Sequence, residues 1–524
     1  MTVTDSEMER STRPRRSARA SSPGRAFAAA LPFILILVWS TAVRLTVYRF
    51  AEVDEFLFSV VAREWLHGGL PYVDVFDIKP PGIFLIYAVA QALFGASHAT
   101  FKGLEIVAAA SGALMLFIML RPFGGGRLAI WSAALYPVYT LAFDGSAAIN
   151  MLLQLPFVIA AFAAVVAATN DDATASRQRL IGALLAGLAI GSAGMIKQTA
   201  VFEATAAFIM LGVYGPAGTR FRMLALFVCG AVLPALGFSA YFLAVGHFRE
   251  MFDAVIVLAA HRLDPAVLAG YGPAAAHYLT LPGAMENTIG QSVEVFFLWG
   301  GAFLTLLRIG LIRWSVPPRL LVTAATWLAF SLASAVSGRL LATYYLLATV
   351  PPLLILSGAF FCYGLRTIRA ERGVTLAVLI LLAGATLIAG EYRKLSDVDP
   401  WVHDGELVAR TTDTIRGLGF TADDRLLVLT RGLPLYVTTG LRPPTAYFHG
   451  THLMTAFPTP VENPLTVSLA ANPRFIVLAD PARPLLAGLP ERQRQALDYL
   501  AAHYRVAAVE KGRKDSFTVY EFVR

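Results

Sequence analysis

Long apolar stretches separated by short polar connectors make up most of the first 390 residues of the chain. A helix needs about 20 apolar residues to cross the hydrocarbon layer of a bilayer, and about eleven stretches approach that length. This pattern predicts an α-helical polytopic membrane protein. The predicted spans are residues 26–47, 103–120, 127–143, 149–168, 180–196, 199–215, 222–245, 287–311, 320–337, 342–364 and 372–390.

The basic residues of the connectors predict which end of each span faces the cytoplasm. Arginines recur in every second connector, as the positive-inside rule expects of cytoplasmic loops. Residues 1–25 are polar and contain six arginines, which favours a cytoplasmic tail before a signal anchor over a cleaved signal peptide. An odd number of spans then places the N-terminus inside and the C-terminus outside.

Two of the predicted outer connectors are longer than a turn requires. Residues 48–101 follow the first span, and residues 246–283 follow the seventh. Within the first, Gly82–Phe94 is apolar but too short to span, so it predicts a helix lying at the membrane interface. The second connector could also lie at the interface, or it could cover a site.

The composition changes at Glu391 to that of a soluble domain. Helical patterns alternate there with short apolar strand patterns, which predicts a small α/β domain of about 130 residues. The chain therefore divides into a basic cytoplasmic tail at 1–25, a transmembrane domain at 26–390 that includes the outer loop 48–101, and an extracytoplasmic α/β domain at 391–524.

Composition and charge narrow the class of protein further. Of all residues, 56% are hydrophobic and 15% are charged, against about a quarter charged in soluble domains. The net charge of +8 comes from arginines in the connectors and does not form a nucleic-acid-binding face, so no nucleic-acid partner is expected. Cys229 and Cys362 both lie in apolar stretches, which argues against a disulfide framework.

Asp54 and Glu55 form an adjacent carboxylate pair at the end of the first predicted span. Carboxylates near lipid are costly unless they face water or a partner. The pair could be a general base that removes a proton from an acceptor hydroxyl or amine. It could equally be a solvated turn that ends the span.

The same connector contains Asp77-Ile78-Lys79-Pro80-Pro81. A lysine offers a point charge to a phosphate, and the two prolines fix the backbone so that the ammonium is aimed. The alternative is a lysine that reaches up to the headgroups ahead of an interfacial helix. The combination with Asp54-Glu55 favours a functional site.

Lone cations at predicted outer turns suit a phosphate or pyrophosphate at the membrane surface. Solvated turns would explain each of them singly. Tyr344 and Tyr345 follow the last of the four and could be an aromatic belt. The four cations are Lys79, Lys197, Arg262 and Arg339.

The outer domain offers little chemistry by pattern. No nucleotide-binding glycine motif occurs between a strand and a helix, and the sequence of this domain shows no cluster of metal ligands and no nucleophile motif. The scattered histidines are interpreted as surface or packing residues: His403, His449, His452 and His503.

Taken together, these motifs resemble a known family. On Asp54-Glu55, GGLPYVDVFDIKPPG at 68–82, GLAIGSAGMIKQTAV at 187–201 and GRLLATYYLLATVPP at 338–352, the chain resembles the GT-C superfamily of glycosyltransferases. The resemblance is to the branch of bacterial aminoarabinose and galacturonic acid transferases to lipopolysaccharide and of protein O-mannosyltransferases. The stretch LLVLTRGLPLYVTTGLRPPT at 426–445 resembles the outer domain of the bacterial members.

The resemblance implies an inverting glycosyltransferase of the inner membrane that acts on its periplasmic or other extracytoplasmic face. It would use a polyprenyl-phosphate-linked sugar and a lipid, cell-envelope glycan or protein acceptor, among membrane lipids. Asp54 would be the catalytic base, supported by Glu55. The donor phosphate and substrate would contact Asp77, Lys79, Lys197, Arg262, Arg339, Tyr344 and Tyr345.

Two departures from the family pattern concern a second acid and a metal. Many relatives have a further acid in the second outer loop, where Asp144 or Asn150 could stand in here. Ile78 occupies the position at which some relatives have a glutamate implicated in metal binding. No metal ligand is therefore assigned, and a divalent cofactor is left open.

Two other classes of function compete with this reading. A lipid or solute transporter would show paired halves and broken helices at the midplane, whereas the sequence has no internal repeat and its ionisable residues gather at one face. A glycan-binding receptor or scaffold would need no acid at position 54.

Overall fold

The fold was analysed in a computed structural model of the whole chain. The structure describes residues 23–123, 126–170, 176–262, 264, 267, 293–308, 316–338, 343–364, 384–390, 392, 402–403, 405–430, 432–479, 489–512 and 516–523. The predicted tail before residue 23 and most of the predicted span at 372–390 lie outside these residues.

Helices form the membrane part of the described chain. The first eleven are α1 (Pro23–Leu45), α2 (Val53–Leu66), α3 (Pro81–Phe94), α4 (His98–Leu120), α5 (Arg127–Ala142), α6 (Asn150–Thr169), α7 (Ser176–Gly194), α8 (Ala200–Tyr214), α9 (Arg220–Ala244), α10 (Phe248–Phe252) and α11 (Ala259–His261). A π-helical turn (Asp253–Leu258) joins α10 to α11. They are followed by α12 (Val293–Arg308), α13 (Pro318–Ser337), a 3₁₀ helix (Thr343–Thr349) and α14 (Val350–Ala359), which ends in a π-helical turn (Phe360–Gly364).

Within the described ranges, five helical segments are long and apolar enough to cross a membrane. They are His98–Leu120, Asn150–Thr169, Arg220–Ala244, Pro318–Ser337 and Thr343–Tyr363. Shorter apolar helices occur at Ala30–Leu45, Pro81–Phe94, Ala200–Tyr214 and Phe297–Arg308. The helical architecture is confirmed, while the number of spans and their orientation stay predictions.

Small residues bring helices α7 and α9 close together. A Cβ on Gly187 would lie 2.0 Å from the carbonyl oxygen of Phe227, and one on Gly191 would lie 2.2 Å from that of Ala231. Glycine has no side chain, so the backbones of α7 and α9 can approach closely. Close approach stabilises membrane helices through van der Waals contact, because the hydrophobic effect does not drive helices together in lipid. This packing fixes the end of α7, where Lys197 follows.

The predicted outer loop folds into a two-residue strand β1 (Ala51–Glu52), two helices and an ordered turn. Asp54 and Glu55 do not end the first span but form the first turn of α2, a helix separate from α1. Glu52 caps α2: its carboxylate accepts from Asp54 N at 2.9 Å, while Glu55 accepts from Glu52 N at 3.3 Å. Gly82–Phe94 is helical as predicted, and its interfacial position stays a prediction.

The outer domain is built around a small mixed sheet, as the sequence predicts. Its elements are β2 (Val402–His403), α15 (Gly405–Gly417), β3 (Leu426–Val428), α16 (Pro434–Thr439), α17 (Gly450–Met454), α18 (Pro464–Ala470), β4 (Phe475–Ala479), α19 (Pro490–His503), β5 (Tyr504–Lys511) and β6 (Ser516–Phe522). The strand order is β3-β4-β6-β5, with β3 and β4 parallel and the other pairs antiparallel.

The outer domain is docked onto α2 and its flanking loop. Arg63 donates to the carbonyl oxygens of Tyr436 at 2.7 Å and Leu441 at 2.8 Å. The next residue, Glu64, forms an ion pair with Arg442. Strand β1, directly before α2, pairs antiparallel with β2. The outer domain therefore contacts both ends of the helix that carries the carboxylate pair.

Candidate active site

Asp54 and Glu55 face different surroundings although they are neighbours. Consecutive residues of a helix point about 100° apart, so the two side chains leave α2 in different directions. Asp54 is half-buried, whereas Glu55 is fully buried. The two carboxylates therefore have separate surroundings.

Glu55 belongs to a buried network of charges. Its carboxylate accepts from the backbone N–H of Ala148 at 2.9 Å and lies 3.7 Å from Lys102. Lys102 also pairs with Glu105 at 2.9 Å, and Glu105 pairs with Arg44 at 3.0 Å. Two positive and two negative groups, all at most 2% exposed, thus balance one another. A solvated turn is excluded for Glu55.

The second outer loop closes over this network. Lys102 donates to the carbonyl oxygen of Ser146 at 2.8 Å, and Arg44 donates to that of Gly145. Asp144 and Asn150, the two proposed substitutes for a further acid, lie at the two ends of this loop. Asp144 has a positive φ of 60°, and Asn150 is buried at the start of α6.

Lys79 is held against Asp77 by the turn that begins α3. Its ammonium lies 3.2 Å and 3.3 Å from the two carboxylate oxygens, and its carbonyl oxygen accepts from the Tyr72 hydroxyl at 2.8 Å. Burial lowers the pKa of Lys79, but Asp77 and Asp54 outweigh burial and raise that pKa above its ordinary value. The lysine therefore stays charged at neutral pH.

Gln198 ties three outer segments together. Its amide donates to the carbonyl oxygens of Ile78 at 3.1 Å and Val255 at 3.0 Å. Beside it, Gly82 N donates to the Met195 carbonyl oxygen at 2.8 Å, and a Cβ on Gly82 would lie 2.5 Å from that oxygen. These contacts bring together the Lys79 turn, the Lys197 turn and the middle of the 248–262 segment.

Lys197 is buried and lies against an aromatic ring. Its ammonium is 4.3 Å from the centre of the Tyr345 ring, which in turn is 4.5 Å from the Tyr344 ring. Burial is the main cause that lowers the pKa of Lys197 to about 8, and the neighbouring cations Arg262 and Lys79 lower it further. An anion bound here would relieve that repulsion.

The charges of these outer segments converge on Asp54. Burial is the main cause that raises the pKa of the Asp54 carboxyl above its ordinary value. Lys79 opposes the rise, and two further cations oppose it less strongly, Arg262 and Lys197. A carboxylate with a raised pKa is a better proton acceptor than an ordinary aspartate.

The structure therefore brings most of the sequence-predicted site residues together. Arg339 lies outside the described residues. Across the described ranges, no group of three or more His, Cys, Asp or Glu side chains could hold a metal ion. The sequence pattern does not single out Gln198 as a site residue, because it has no charge. His449 and His452, predicted as surface or packing residues, are both buried.

Comparison with solved structures finds chains of the same architecture. One is ArnT from Cupriavidus metallidurans, solved in the apo state and bound to undecaprenyl phosphate. Its sequence is 14% identical to this chain, and each comparison covers 94% of this chain and 98% of ArnT. The TM-score is 0.63 for the apo state and 0.60 for the complex. The chain therefore shares the fold of ArnT.

A second relative in structure is the archaeal oligosaccharyltransferase AglB from Archaeoglobus fulgidus. Its complex with an inhibitory peptide and a dolichol-phosphate is 14% identical, with a TM-score of 0.50 over 86% of this chain and 69% of AglB. An oligosaccharyltransferase of Archaeoglobus fulgidus solved in complex with Zn and sulfate is 13% identical, with a TM-score of 0.50 over 84% of this chain and 67% of that chain. No protein-family model and no curated protein matches the chain.

Proposed function

We propose that this protein is an inverting glycosyltransferase of the inner membrane. It moves a sugar from a polyprenyl-phosphate donor to a lipid, cell-envelope glycan or protein acceptor on the extracytoplasmic side. The observation that carries the proposal is the placement of one half-buried carboxylate, Asp54, among cations from three outer segments joined by Gln198. That arrangement suits a base beside the phosphate of a lipid-linked donor.

The reaction is a single displacement at the anomeric carbon. Asp54 accepts the proton of the acceptor hydroxyl or amine as that group attacks the carbon and the bond to the phosphate oxygen breaks. Negative charge grows on the leaving polyprenyl phosphate, and Lys79, Lys197 and Arg262 stabilise it there. Attack opposite the leaving group inverts the configuration. ArnT with undecaprenyl phosphate and AglB with dolichol-phosphate support a donor of this kind.

The described residues of the site do not fit a metal ion, so no step of the reaction is assigned to one. Asp77, the acid beside Lys79, already accepts from the Lys79 ammonium, from Ile78 N at 2.5 Å and from Lys79 N at 3.2 Å. The zinc of the oligosaccharyltransferase structure still makes a chelator control worthwhile. Activity that EDTA abolishes and zinc restores would require a metal in the reaction.

The test of this function is turnover of a defined donor. The protein, purified in nanodiscs, is offered undecaprenyl-phosphate hexoses, pentoses and uronic acids together with lipopolysaccharide, cell-wall glycan and peptide acceptors. We expect transfer from one donor with inversion at the anomeric carbon. Mass spectrometry detects the transferred sugar, and NMR determines the anomeric configuration of the product. If the purified protein neither binds nor turns over any polyprenyl donor, the result would favour the transporter alternative.

Replacing Lys79 by glutamine should weaken donor binding, because the donor phosphate is charged before the reaction, and should also lower kcat, because more charge grows on that phosphate as it leaves. A charge-assisted hydrogen bond contributes roughly 1.5–3 kcal/mol, so we expect the donor KM to rise about 10- to 100-fold. Arg249→Gln is the matched control, because Arg249 is an exposed cation of the 248–262 segment. A melting temperature is measured for both variants, since Lys79→Gln leaves the buried Asp77 carboxylate without its charged partner. An unchanged donor KM would contradict the assignment of Lys79.

The donor kcat/KM should fall as the pH rises through about 8, the pKa to which burial lowers Lys197. Only protonated Lys197 attracts the phosphate, and the protonated fraction decreases above that pKa. The profile is measured between about pH 6.5 and 9.5. Lys197→Arg keeps its charge over this range and should lose the decline. A decline that persists unchanged in Lys197→Arg would assign it to another group.

A further inference from the structure

Two buried histidines of the outer domain lie where that domain meets the Lys79 turn. His449 and His452 are 7% and 2% exposed, and their ring centres are 5.4 Å apart. The Nδ1 atom of each ring is buried and has no hydrogen-bond partner within the described part of the chain. Buried polar atoms without a partner are rare, and each calls for an explanation.

The fold positions this pair at the carboxyl ends of the two parallel strands. Thr430 follows β3, and its hydroxyl accepts from Ala479 N at the end of β4 at 3.0 Å. Gly450 packs on the same residue: a Cβ there would lie 2.3 Å from the Thr430 carbonyl oxygen. Only glycine lets the segment between the histidines approach so closely. The carboxyl edge of parallel strands is where α/β sheets commonly bind ligands.

The pair faces the site already described. Phe76 N donates to the Ala446 carbonyl oxygen at 3.0 Å, and the Phe76 ring lies 5.3 Å from the His452 ring. Phe76 directly precedes Asp77, so the outer domain contacts the turn that aims Lys79. The charge of Lys79 acts on both imidazoles.

Both imidazoles are neutral at physiological pH. Burial is the main cause that lowers the pKa of His452 to about 3, and Lys79 lowers it further. Burial likewise lowers the pKa of His449 well below its ordinary value, while the other imidazole and Lys79 add to the effect and Asp77 opposes it. A neutral imidazole has one N–H donor and one acceptor nitrogen, so it can bind a hydroxyl group either way.

We propose that His449 and His452 are the outer domain's share of the substrate site, a pair of neutral imidazoles that hydrogen-bonds the hydroxyl groups of a saccharide. The inference rests on the proposed function. In the proposed reaction Lys79, Lys197 and Arg262 bind the donor phosphate. The hydroxyl groups of a sugar are bound by uncharged hydrogen-bond donors and acceptors, which these cations do not provide. The saccharide is the transferred sugar or the acceptor glycan, which offer the same chemistry and which the experiment separates.

The experiment removes the ring nitrogens and leaves an apolar side chain of similar bulk. His449→Leu and His452→Leu are compared in nanodiscs with the wild type, using the undecaprenyl-phosphate sugar and the acceptor that the wild type uses. Each variant should raise either the donor KM or the acceptor KM about three- to tenfold, because one neutral hydrogen bond to the saccharide is lost. The melting temperature should stay equal or rise, because a buried unpartnered nitrogen is gone. The asparagine variants, which retain polar atoms near the Nδ1 position, should recover part of the affinity.

Phe457→Leu is the matched control. Its ring lies 4.8 Å from the His452 ring and is also buried, so the substitution disturbs packing without removing a polar group. A raised donor KM, seen also in donor hydrolysis without acceptor, assigns the pair to the transferred sugar. A raised acceptor KM alone assigns it to the acceptor glycan.

Other results would overturn the inference. Unchanged KM values in the leucine variants, or a fall in melting temperature with the same kinetic loss in Phe457→Leu, would make the pair a packing element. Wild-type turnover together with those results overturns this inference alone. A wild type that turns over no donor overturns the proposed function and this inference with it.

Discussion

Asp54→Asn is expected to lower the kcat of transfer by about a hundredfold or more, the usual contribution of a general base. The asparagine amide has the shape of the carboxylate, but it cannot take up the proton of the attacking hydroxyl or amine. The fold should survive, because Glu52 caps α2 through the backbone N–H of residue 54, which the substitution leaves in place. Steady-state kinetics and a melting temperature in nanodiscs measure both effects.

The matched control for this variant is Asp74→Asn. Asp74 is an exposed acid of the same outer loop, and its carboxylate accepts from Leu70 N at 2.7 Å. An asparagine oxygen can accept the same bond, so the control removes one negative charge and keeps the loop. We expect nearly wild-type transfer in Asp74→Asn. Equal activity in both variants would remove Asp54 from the role of base.

The acidic limb of the pH profile gives a second view of the same residue. Because burial raises the pKa of Asp54, the carboxylate that accepts the proton is lost at a higher pH than for an ordinary aspartate. Activity should therefore fall as the pH decreases through that raised pKa. This limb is opposite in direction to the one expected from Lys197, so the two groups can be assigned separately.

The sequence predicts the helices and strands well because each depends on local patterns. A membrane span must satisfy its backbone within one segment, so its length and apolar character are readable directly. The strand patterns of the outer domain, such as RFIVLA around β4 (Phe475–Ala479), depend on equally short-range alternation and burial. The positions of Lys79, Lys197 and Arg262 next to helix ends followed from the same patterns.

What the sequence could not predict depends on contacts between distant segments. Adjacent acids look alike in sequence, and only the register of α2 separates half-buried Asp54 from Glu55 in the buried network. Gln198 carries no charge, yet it joins segments 120 and 57 residues away. His449 and His452 have a helical spacing that signals a shared face, but their burial depends on the docked outer domain.

Docking of the outer domain onto α2 links the two halves of the site. The β1–β2 pairing ends one residue before α2 begins, and Arg63 near its other end binds the outer domain. The helix that carries Asp54 is therefore held from outside by this domain and from inside by the charge network of Glu55. Each contact limits how far Asp54 can move relative to Lys79.

Lys102→Met should be the most destabilising single change in the inner network. Lys102 lies between Glu55 and Glu105, at 3.7 Å and 2.9 Å, and its loss leaves two buried carboxylates with only Arg44 for charge balance. Removing one partner of a buried ion pair typically costs about 3–5 kcal/mol. Melting temperature and expression level in membranes measure the loss.

A compensating substitution separates charge balance from packing. When Lys102→Met is combined with Glu55→Gln, the network keeps one positive and one negative group, the Arg44–Glu105 pair at 3.0 Å. The amide oxygen introduced at position 55 can still accept from Ala148 N, so the second outer loop keeps its contact. We expect the double variant to melt closer to the wild type than Lys102→Met does, with a favourable coupling between the two sites in a double-mutant cycle. A double variant that is less stable than Lys102→Met would show that packing, not charge balance, dominates at this position.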